Sequence, residues 1–210
     1  MTATMSAFNT DCAAAPLPAG TTNVNPAGIA FWALVREDFQ HHGGGWMTQG
    51  FWTLFVHRFG NWRMGVRPRL LRAPLTALYR VLFKACEVLC GMKLSYNVPV
   101  GRRLRLEHFG GMILGARSIG DDVTLRQNTT LGVRSTADLN AKPVLEDRVD
   151  VGCGAVILGD ITIGHDSVIG ANAVVLEDVP PYSVVVGIPG RVVKRRPPET
   201  VALPLSSGVI

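Results

Sequence analysis

The hydrophobic residues in the second half of the chain recur every six positions. The longest unbroken run comprises Leu145, Val151, Ile157, Ile163, Ile169 and Val175. Two earlier runs have the same spacing, namely Leu94, Val100 and Leu106, and then Ile113, Ile119, Leu125 and Leu131. A period of six is neither helical nor the period-two alternation that the strands of a β-sandwich, the alternative fold, should show. It predicts a coil with three short flat faces, in which stacked turns bury a continuous column that no single repeat could bury.

Two interruptions of this spacing mark where functional residues are expected. Leu106 and Ile113 are seven residues apart, and the extra residue falls within "EHFGG". Leu131 and Leu145 are fourteen residues apart, which is too many for one edge of a coil. We therefore predict a protruding loop at residues 132–144. Register breaks and loops on a rigid scaffold are common positions for binding and catalytic groups.

The first half of the chain has helical spacing instead. Apolar and aromatic residues three and four apart predict helices over residues 28–40, 48–64 and 70–91. Pro74 is expected in the first turn of the third helix, where proline is tolerated, and Gly91 at its C-terminal end. The predicted organisation is a flexible leader at 1–27, a helical domain at 28–92, a coil domain at 93–190, and a basic segment with a tail at 191–210.

Charge narrows the range of partners. The net charge is +5, and the basic residues cluster in residues 58–84 and 194–196. No RNP motif, zinc finger or basic zipper accompanies them, so we predict no nucleic-acid partner. The basic helical region could lie on an anionic membrane surface, or it could be a helical cap whose apolar face packs on the other subunits of a trimer and whose cations are in solvent.

Cysteine content and hydropathy indicate the compartment. The four cysteines include no Cys-x-x-Cys pair and make no disulfide framework, which favours a reducing cytoplasm. No stretch reaches the roughly 18 uninterrupted apolar residues of a transmembrane helix. We predict a cytoplasmic protein, with peripheral contact at the inner membrane face as an open alternative. No spacing of His, Cys, Asp and Glu matches a metal site.

Four segments, together with the hexapeptide repeat, resemble a known family. They are "GFWTLFVHRFGNW", "EHFGGMILGARSIGDDVTLRQNTTLG", "VDVGCGAVILGDITIG" and "VIGANAVVLEDVPPYSVVVGIPGRVV". The repeat resembles that of the left-handed parallel β-helix acyltransferases. The chain is similar to the serine O-acetyltransferases, and closest to their exopolysaccharide and capsule relatives. The resemblance implies a mainly β fold with N-terminal α structure, that is, a left-handed parallel β-helix preceded by a small helical domain. It also implies an acetyl-CoA-dependent acyltransferase.

The resemblance implies roles for individual residues. It makes His108 the general base and Glu107 an acceptor contact. By register, the aspartate that orients the family's histidine falls at Lys93. The family's other acceptor-binding positions fall near Trp46 and Lys142, which we take as candidate substrate contacts. The departures at these positions favour a sugar acceptor over free serine.

The residues around His108 suit acyl transfer. Histidine has an ordinary pKa near 6.5, which suits a general base at neutral pH. Gly110 and Gly111 follow, and glycines allow a thioester to approach the backbone and free amides to face an oxyanion. The alternative is a hydrogen-bonded structural histidine at a corner of the coil.

The resemblance also implies a coenzyme A groove between adjacent β-helices of a homotrimer. The candidate cofactor-binding residues are Gly132, Cys153, Ala171, Arg191, Lys194 and Arg195. The three basic residues could face the phosphates of coenzyme A, or they could form a solvated basic tail. Cys153 is expected to pack rather than to act as a nucleophile.

Three functions are compatible with the sequence. The leading one is an acetyl-CoA-dependent O-acetyltransferase that acts on a hydroxyl of a sugar or oligosaccharide in exopolysaccharide or capsule synthesis. The first alternative is serine O-acetylation for cysteine biosynthesis. It is favoured by Ile210, because serine acetyltransferases often end in an isoleucine that docks in the next enzyme of the pathway. The second alternative is a non-catalytic β-helix scaffold.

Overall fold

The computed structural model describes residues 15–196, in which a helical layer precedes a coil of short strands. The helices are α1 (Phe31–His41), α2 (Gln49–Trp62), a 3-10 turn (Arg63–Gly65) and α3 (Arg69–Leu89). The three predicted helices are present, with ends shifted by one to three residues. Pro74 is the sixth residue of α3, inside the helix, so the expected first-turn position is wrong. Gly91 follows the last helical residues with a φ of 62°, as expected.

Residues 15–27, predicted to be part of a flexible leader, contact the rest of the molecule. Tyr96 donates its hydroxyl hydrogen to the carbonyl of Gly20 (3.1 Å). The amide of Val24 donates to Oδ1 of Asn61 (3.2 Å). The prediction is therefore wrong for this part of the leader, and the earlier part lies outside the described residues.

In the described part of the chain, fourteen short strands follow the helices. They are β1 (Met92–Lys93), β2 (Arg105–Glu107), β3 (Met112–Leu114), β4 (Ser118–Ile119), β5 (Thr124–Arg126), β6 (Thr130–Gly132), β7 (Val144–Leu145), β8 (Asp150–Val151), β9 (Val156–Leu158), β10 (Thr162–Ile163), β11 (Val168–Ile169), β12 (Val174–Val175), β13 (Ser183–Val186) and β14 (Arg191–Arg195).

The strands form three sheets around one axis. The first sheet has the order β1-β3-β6-β9-β12, the second β4-β7-β10, and the third β2-β5-β8-β11-β13. All of these strands pair in parallel, whereas β14 adds to β13 in the antiparallel direction. Up to β13, consecutive strands lie on different sheets, and each strand pairs with the strand of the next turn in its own sheet. This is the predicted left-handed parallel β-helix.

Three columns of buried side chains fill the interior, one behind each sheet. They are Leu94, Leu114, Leu131, Ile157 and Val175; Val100, Ile119, Leu145, Ile163 and Val179; and Leu106, Leu125, Val151, Ile169 and Val185. Each of these side chains is almost completely removed from water. The stacking of five turns, rather than any single strand, therefore produces the apolar core.

The columns correct the predicted register at one position. Ile113 points outward and is 52% exposed, whereas Leu114 is buried and pairs with Leu131. The step after Leu106 is therefore eight residues rather than seven, and the next step, to Ile119, is five. The turn between β2 and β3 thus accommodates two extra residues instead of one.

Corners between the second and third sheets hold non-glycine residues in the left-handed region. Arg103, Asp122, Arg148 and Asp166 have φ between 54° and 59°. Arg103 pairs with Asp122, and Arg148 donates two hydrogen bonds of 2.7 Å to Asp166. These hydrogen bonds hold the pKa of both carboxyls below the ordinary value. The ion pairs between turns offset part of the cost of left-handed backbone in bulky residues.

A buried cation joins the helical layer to the first turn of the β-helix. Nε of Arg58 donates to Oδ2 of Asp38 (2.9 Å), which joins α2 to α1. Nη1 and Nη2 of Arg58 donate to the carbonyls of Val100 (2.7 Å) and Gly101 (2.6 Å). Arg58 is completely buried, so the predicted solvent or membrane exposure of the cations in residues 58–84 is wrong for this residue.

We expect Arg58→Met to decrease the free energy of unfolding by about 3–5 kcal/mol, because it leaves the carboxylate of Asp38 buried without a counter-charge. Urea denaturation followed by circular dichroism measures the change. Arg36→Met is the matched control on the exposed face of α1, with an expected effect within about 0.5 kcal/mol. Equal effects of the two substitutions would contradict this account.

His57 is expected to make stability dependent on pH. It is buried, its Nε2 donates to the carbonyl of Val98 (2.9 Å), and burial lowers its pKa to about 3. The unfolded chain takes up a proton on this histidine below about pH 6.5, whereas the folded chain does so only near pH 3. The free energy of unfolding should therefore decrease as pH falls through this window, by up to roughly 1.4 kcal/mol per pH unit.

His57→Gln removes this contribution but leaves all the other titrating groups in place. The stability difference between the wild-type chain and the variant, measured by urea denaturation at a series of pH values, should therefore shrink as pH falls. Parallel pH profiles for the two proteins would show that His57 is not buried in its neutral form.

Candidate active site

The turn that contains His108 leaves the regular path of the coil. In regular turns between the third and first sheets, Asn128 and Asn172 occupy the corner in the left-handed region. Gly111 takes this corner between β2 and β3, where an added Cβ would lie 2.2 Å from Oδ1 of Asn128. The extra residues extend outward, so the side chains of His108 and Phe109 are exposed. His108 itself has a φ of 62°.

A pocket of about 430 Å³ opens between this turn and the helical layer. It is lined by His42, Gly43, Thr48, Gln49, Gly50, Arg105, Leu106, Glu107, His108 and Phe109. The segment from the end of α1 to the start of α2 forms one wall, and β2 with the following turn forms the other. The docking of the helices on the first turn of the coil therefore creates the pocket.

His108 is free to contact a molecule in this pocket. Its side chain is exposed, and it makes no hydrogen bond or ion pair to any residue from 15 to 196. The alternative of a hydrogen-bonded structural histidine therefore has no support in the described residues. An unengaged imidazole in a pocket wall can accept a proton from a bound hydroxyl group.

The carboxylate of Glu107 is held by two arginines. Its Oε1 lies 3.0 Å from Nε of Arg105, and its Oε2 lies 3.1 Å from Nε of Arg126. Arg126 also pairs with Asp150 on the next turn. No hydrogen bond joins Glu107 to His108 in the described residues. The network instead presents a mixed cationic and anionic wall to the pocket.

His42 connects the two walls of the pocket. Its Nδ1 donates to the carbonyl of Asp38 (2.8 Å), and its Nε2 accepts from the amide of Leu106 (3.2 Å). These partners specify the tautomer, because the atom that accepts from an amide carries no proton. Burial lowers the pKa of His42, which favours the neutral ring that both contacts require. His42 therefore holds the end of α1 against β2.

The glycine amides differ in their availability. The amide of Gly110 donates to the carbonyl of Cys90 (3.2 Å), so it is not free to face an oxyanion as the sequence predicts. The amide of Gly111 makes no hydrogen bond within the described residues. Of the two predicted donors, Gly111 is therefore the available one.

The structure separates three other residues from this pocket. Trp46 packs on Phe39, with ring centroids 4.7 Å apart, and lines a separate aromatic pocket between α1 and α2. Lys142 lies in the long loop before β7 and is absent from the pocket lining. Lys93, at the position of the family's orienting aspartate, pairs with Glu87 (3.9 Å). Within one chain, Trp46 and Lys142 therefore lie apart from this pocket, and their contact with the acceptor stays a prediction.

The predicted cofactor residues fall on different parts of the surface. Cys153 and Ala171 lie on the same corner of the coil as the His108 turn, whereas Gly132 ends β6 at the far edge of the first sheet. The segment with Arg191, Lys194 and Arg195 forms the exposed strand β14, paired to β13. Ile210 lies outside the described residues.

Eight of the ten pocket residues were not among the site residues predicted from the sequence, and five of these eight have polar or aromatic side chains. These five are His42, Thr48, Gln49, Arg105 and Phe109. Periodicity identifies α1, α2 and β2 but not how the helices dock on the coil. The available signal is local, because "HHGGGWMTQ" places polar side chains in a glycine-rich connection between two amphipathic helices.

Comparison with known proteins relates the chain to one family. A serine acetyltransferase of Mycobacterium tuberculosis is 37% identical over 151 residues, which are 71% of this chain and 63% of that protein. The chain is similar in sequence to the serine acetyltransferases and has their hexapeptide-repeat acyltransferase fold. The crystal structure of a Neisseria gonorrhoeae serine acetyltransferase matches with a TM-score of 0.65 and 26% identity, over 82% of this chain and 70% of that one.

A further structure of a serine acetyltransferase shows the same fold. It is the Brucella abortus protein in complex with coenzyme A, which matches with a TM-score of 0.66 and 24% identity over 78% of this chain and 68% of that one. The chain spans about three fifths of the length of the curated proteins that it matches. No protein-family model matches the chain.

Two further features of the described residues bear on the predictions. No group of three or more His, Cys, Asp and Glu side chains among residues 15–196 is arranged to hold a metal ion. Within the same range, no helix has both the length and the hydropathy needed to cross a membrane.

Gly50 controls the approach of α2 to β2. An added Cβ at this position would lie 2.3 Å from the carbonyl oxygen of Leu106 and 3.0 Å from Cδ2 of His42. We therefore expect Gly50→Ala to push α2 away from the coil and to decrease the free energy of unfolding by about 1–3 kcal/mol. Gly65→Ala is the control, since nothing lies within 4 Å of the added methyl group. Thermal denaturation of both variants tests this, and equal melting temperatures would refute the close approach.

Proposed function

We propose that the protein is an O-acetyltransferase that transfers the acetyl group of acetyl-CoA to a hydroxyl group. The observation that carries the proposal is the unengaged His108 on the wall of a pocket, in a chain with the fold of the serine acetyltransferases. The complex of the Brucella abortus relative with coenzyme A supports the choice of acyl donor.

The chemistry assigned to this site proceeds in one transfer. His108 removes the proton from the acceptor hydroxyl as its oxygen attacks the carbonyl carbon of the thioester. The amide of Gly111 is the candidate donor to the resulting oxyanion. The carbon–sulfur bond then breaks, and the thiolate of coenzyme A takes the proton from the imidazolium ring. Acetylated acceptor and free thiol are the products.

We propose L-serine as the acceptor. The support comes from the relatives, since proteins with 36–37% identity to this chain are named serine acetyltransferases. In the pocket, Arg105 offers a cation and Glu107 an anion, which complement the carboxylate and ammonium groups of an amino acid. This replaces the sugar acceptor as the leading hypothesis.

A hydroxyl group of a sugar or oligosaccharide is the second candidate acceptor. One observation favours it. Lys93 stands at the register of the family's orienting aspartate and pairs with Glu87, so no carboxylate at this position orients His108. Part of the amino-acid site that the resemblance implies is therefore missing, and the cleft could accept a different hydroxyl compound.

We also propose a homotrimer, in which coenzyme A lies between neighbouring β-helices. Cys153 and Ala171 lie on the corner that carries His108, so a cofactor on this edge would direct its thioester toward the pocket. Gly132 and Lys142 lie elsewhere on the coil and would act only on a neighbouring subunit's site. Arg191, Lys194 and Arg195 on β14 are the proposed contacts for the phosphates.

Thiol release from acetyl-CoA tests the proposal directly. We expect turnover with L-serine, and a decrease of about a hundredfold or more for His108→Ala, because the general base is lost. His165→Ala is the matched control, since His165 pairs with Asp166 at another corner and should leave turnover nearly unchanged. A panel of sugars and glycans is assayed in parallel.

The outcomes separate the candidates. His108-dependent turnover on a glycan but not on serine would establish the sugar acceptor. Turnover that survives His108→Ala would remove His108 as the base. If no acceptor supports turnover and coenzyme A does not raise the melting temperature, the non-catalytic scaffold is the better description, because a ligand of the native state stabilises it.

A further inference from the structure

Helix α3 has an apolar face that the rest of the chain does not cover. Its buried residues, Tyr79 and Cys86, face α2 and the coil. On another side, six large apolar residues are exposed: Leu70, Leu71, Leu78, Val81, Val88 and Leu89. We call these six residues the α3 stripe. At 100° per residue they fall within about 100° of one another, along about 30 Å of helix.

The exposure of the α3 stripe is unusually complete. Leu70 is 85% exposed and Leu89 is 75% exposed, and these residues lie at opposite ends of the helix. Scattered apolar residues on a surface are normal, but a contiguous row of this length indicates an interaction surface.

Basic residues accompany the α3 stripe. Arg67, Arg69 and Arg80 are exposed, and none of the three forms an ion pair within the described residues. Arg67 and Arg69 stand at the N-terminal end of α3, where the helix dipole disfavours positive charge. The acidic residue of α3, Glu87, already pairs with Lys84 (2.5 Å) and Lys93 (3.9 Å). At 100° per residue, Arg69 and Arg80 lie about 100° and about 80° from the nearer edge of the stripe, so one flank of α3 beside the stripe is cationic.

We propose that α3 binds the surface of an anionic phospholipid bilayer, with the α3 stripe in the interfacial region and the arginines on lipid phosphates. An amphipathic helix with an apolar face and adjacent cations has the composition that partitions into such an interface. The helix lies along the membrane, and arginine side chains extend from an apolar surface to the headgroups. Arg58 and Arg63 take no part, because both are buried.

Charge favours this occupant over a second copy of the chain. In a contact between the α3 helices of two copies, whether two-fold or within the proposed homotrimer, the partner helix would bring its own cations rather than negative charge. Arg67 and Arg69 of each copy would find no additional carboxylate on the partner helix, whose Glu87 is already paired. Lipid phosphates supply the missing negative charge.

Vesicle flotation of the full chain tests the proposal. We expect flotation with vesicles of equal parts phosphatidylcholine and phosphatidylglycerol, and none with phosphatidylcholine alone. Raising the salt concentration should weaken the binding, since exposed charges are screened. The triple variant Arg67→Ser, Arg69→Ser, Arg80→Ser should bind about a hundredfold more weakly, because each cation near an anionic surface strengthens binding roughly fivefold.

Val81→Asp tests the apolar part of the surface. Val81 is exposed, so the variant should fold normally, which circular dichroism checks, and it should lose flotation. Leu139→Asp, at an equally exposed residue in the loop before β7, is the matched control and should float like the wild-type chain.

Several results would overturn the proposal. These are no flotation of the wild-type chain at low salt, equal flotation of Val81→Asp, or equal flotation on neutral vesicles. A decrease in oligomeric mass for Val81→Asp, measured by light scattering, would assign the α3 stripe to an interface between copies. None of these measurements depends on acetyl transfer, so they leave the proposed enzymatic function untouched.

Discussion

Arg58 holds two helices and the first turn of the β-helix in one arrangement. Its guanidinium group makes three hydrogen bonds in a fully buried site, to a carboxylate on α1 and to two carbonyls of the coil. A buried ion pair is costly to desolvate, and it persists here because each of the three guanidinium nitrogens donates to an acceptor. The geometry leaves little freedom in how the helices dock, since the carbonyls belong to a rigid stack. The pocket beside His108 exists only in that docked arrangement.

The candidate site combines a rigid scaffold with one local departure from regularity. The columns of Leu, Ile and Val, together with the parallel pairing of β2 with β5 and of β3 with β6, fix the positions of β2 and β3. The two extra residues between them cannot be absorbed in the interior, so they extend into solvent and carry His108 with them. Gly111 makes this possible, since Asn128 on the next turn leaves no room for a side chain. The exposure of His108 thus follows from packing one turn away.

The β-helix could be predicted from the sequence because its cause is periodic: one buried residue every six positions, repeated over several turns. Ile113 misled the register for a physical reason, since it is as apolar as Leu114 and only the pairing with Leu131 distinguishes them. Arg58 was missed because a cation in a helical pattern is normally at the surface. The pocket was missed in part because it joins segments more than fifty residues apart, and periodicity carries no information on such docking.

Each turn of the β-helix contacts only the turns before and after it, as in other repeat architectures. The helices, by contrast, form their hydrogen bonds with the first turn, at residues such as Val98, Val100 and Leu106. The length of the coil is therefore modular. Removing residues 152–169 would excise one complete turn and leave every later column at its original spacing. Natural variation in the number of turns could thus lengthen or shorten a groove along the corner while the pocket at its head keeps its shape.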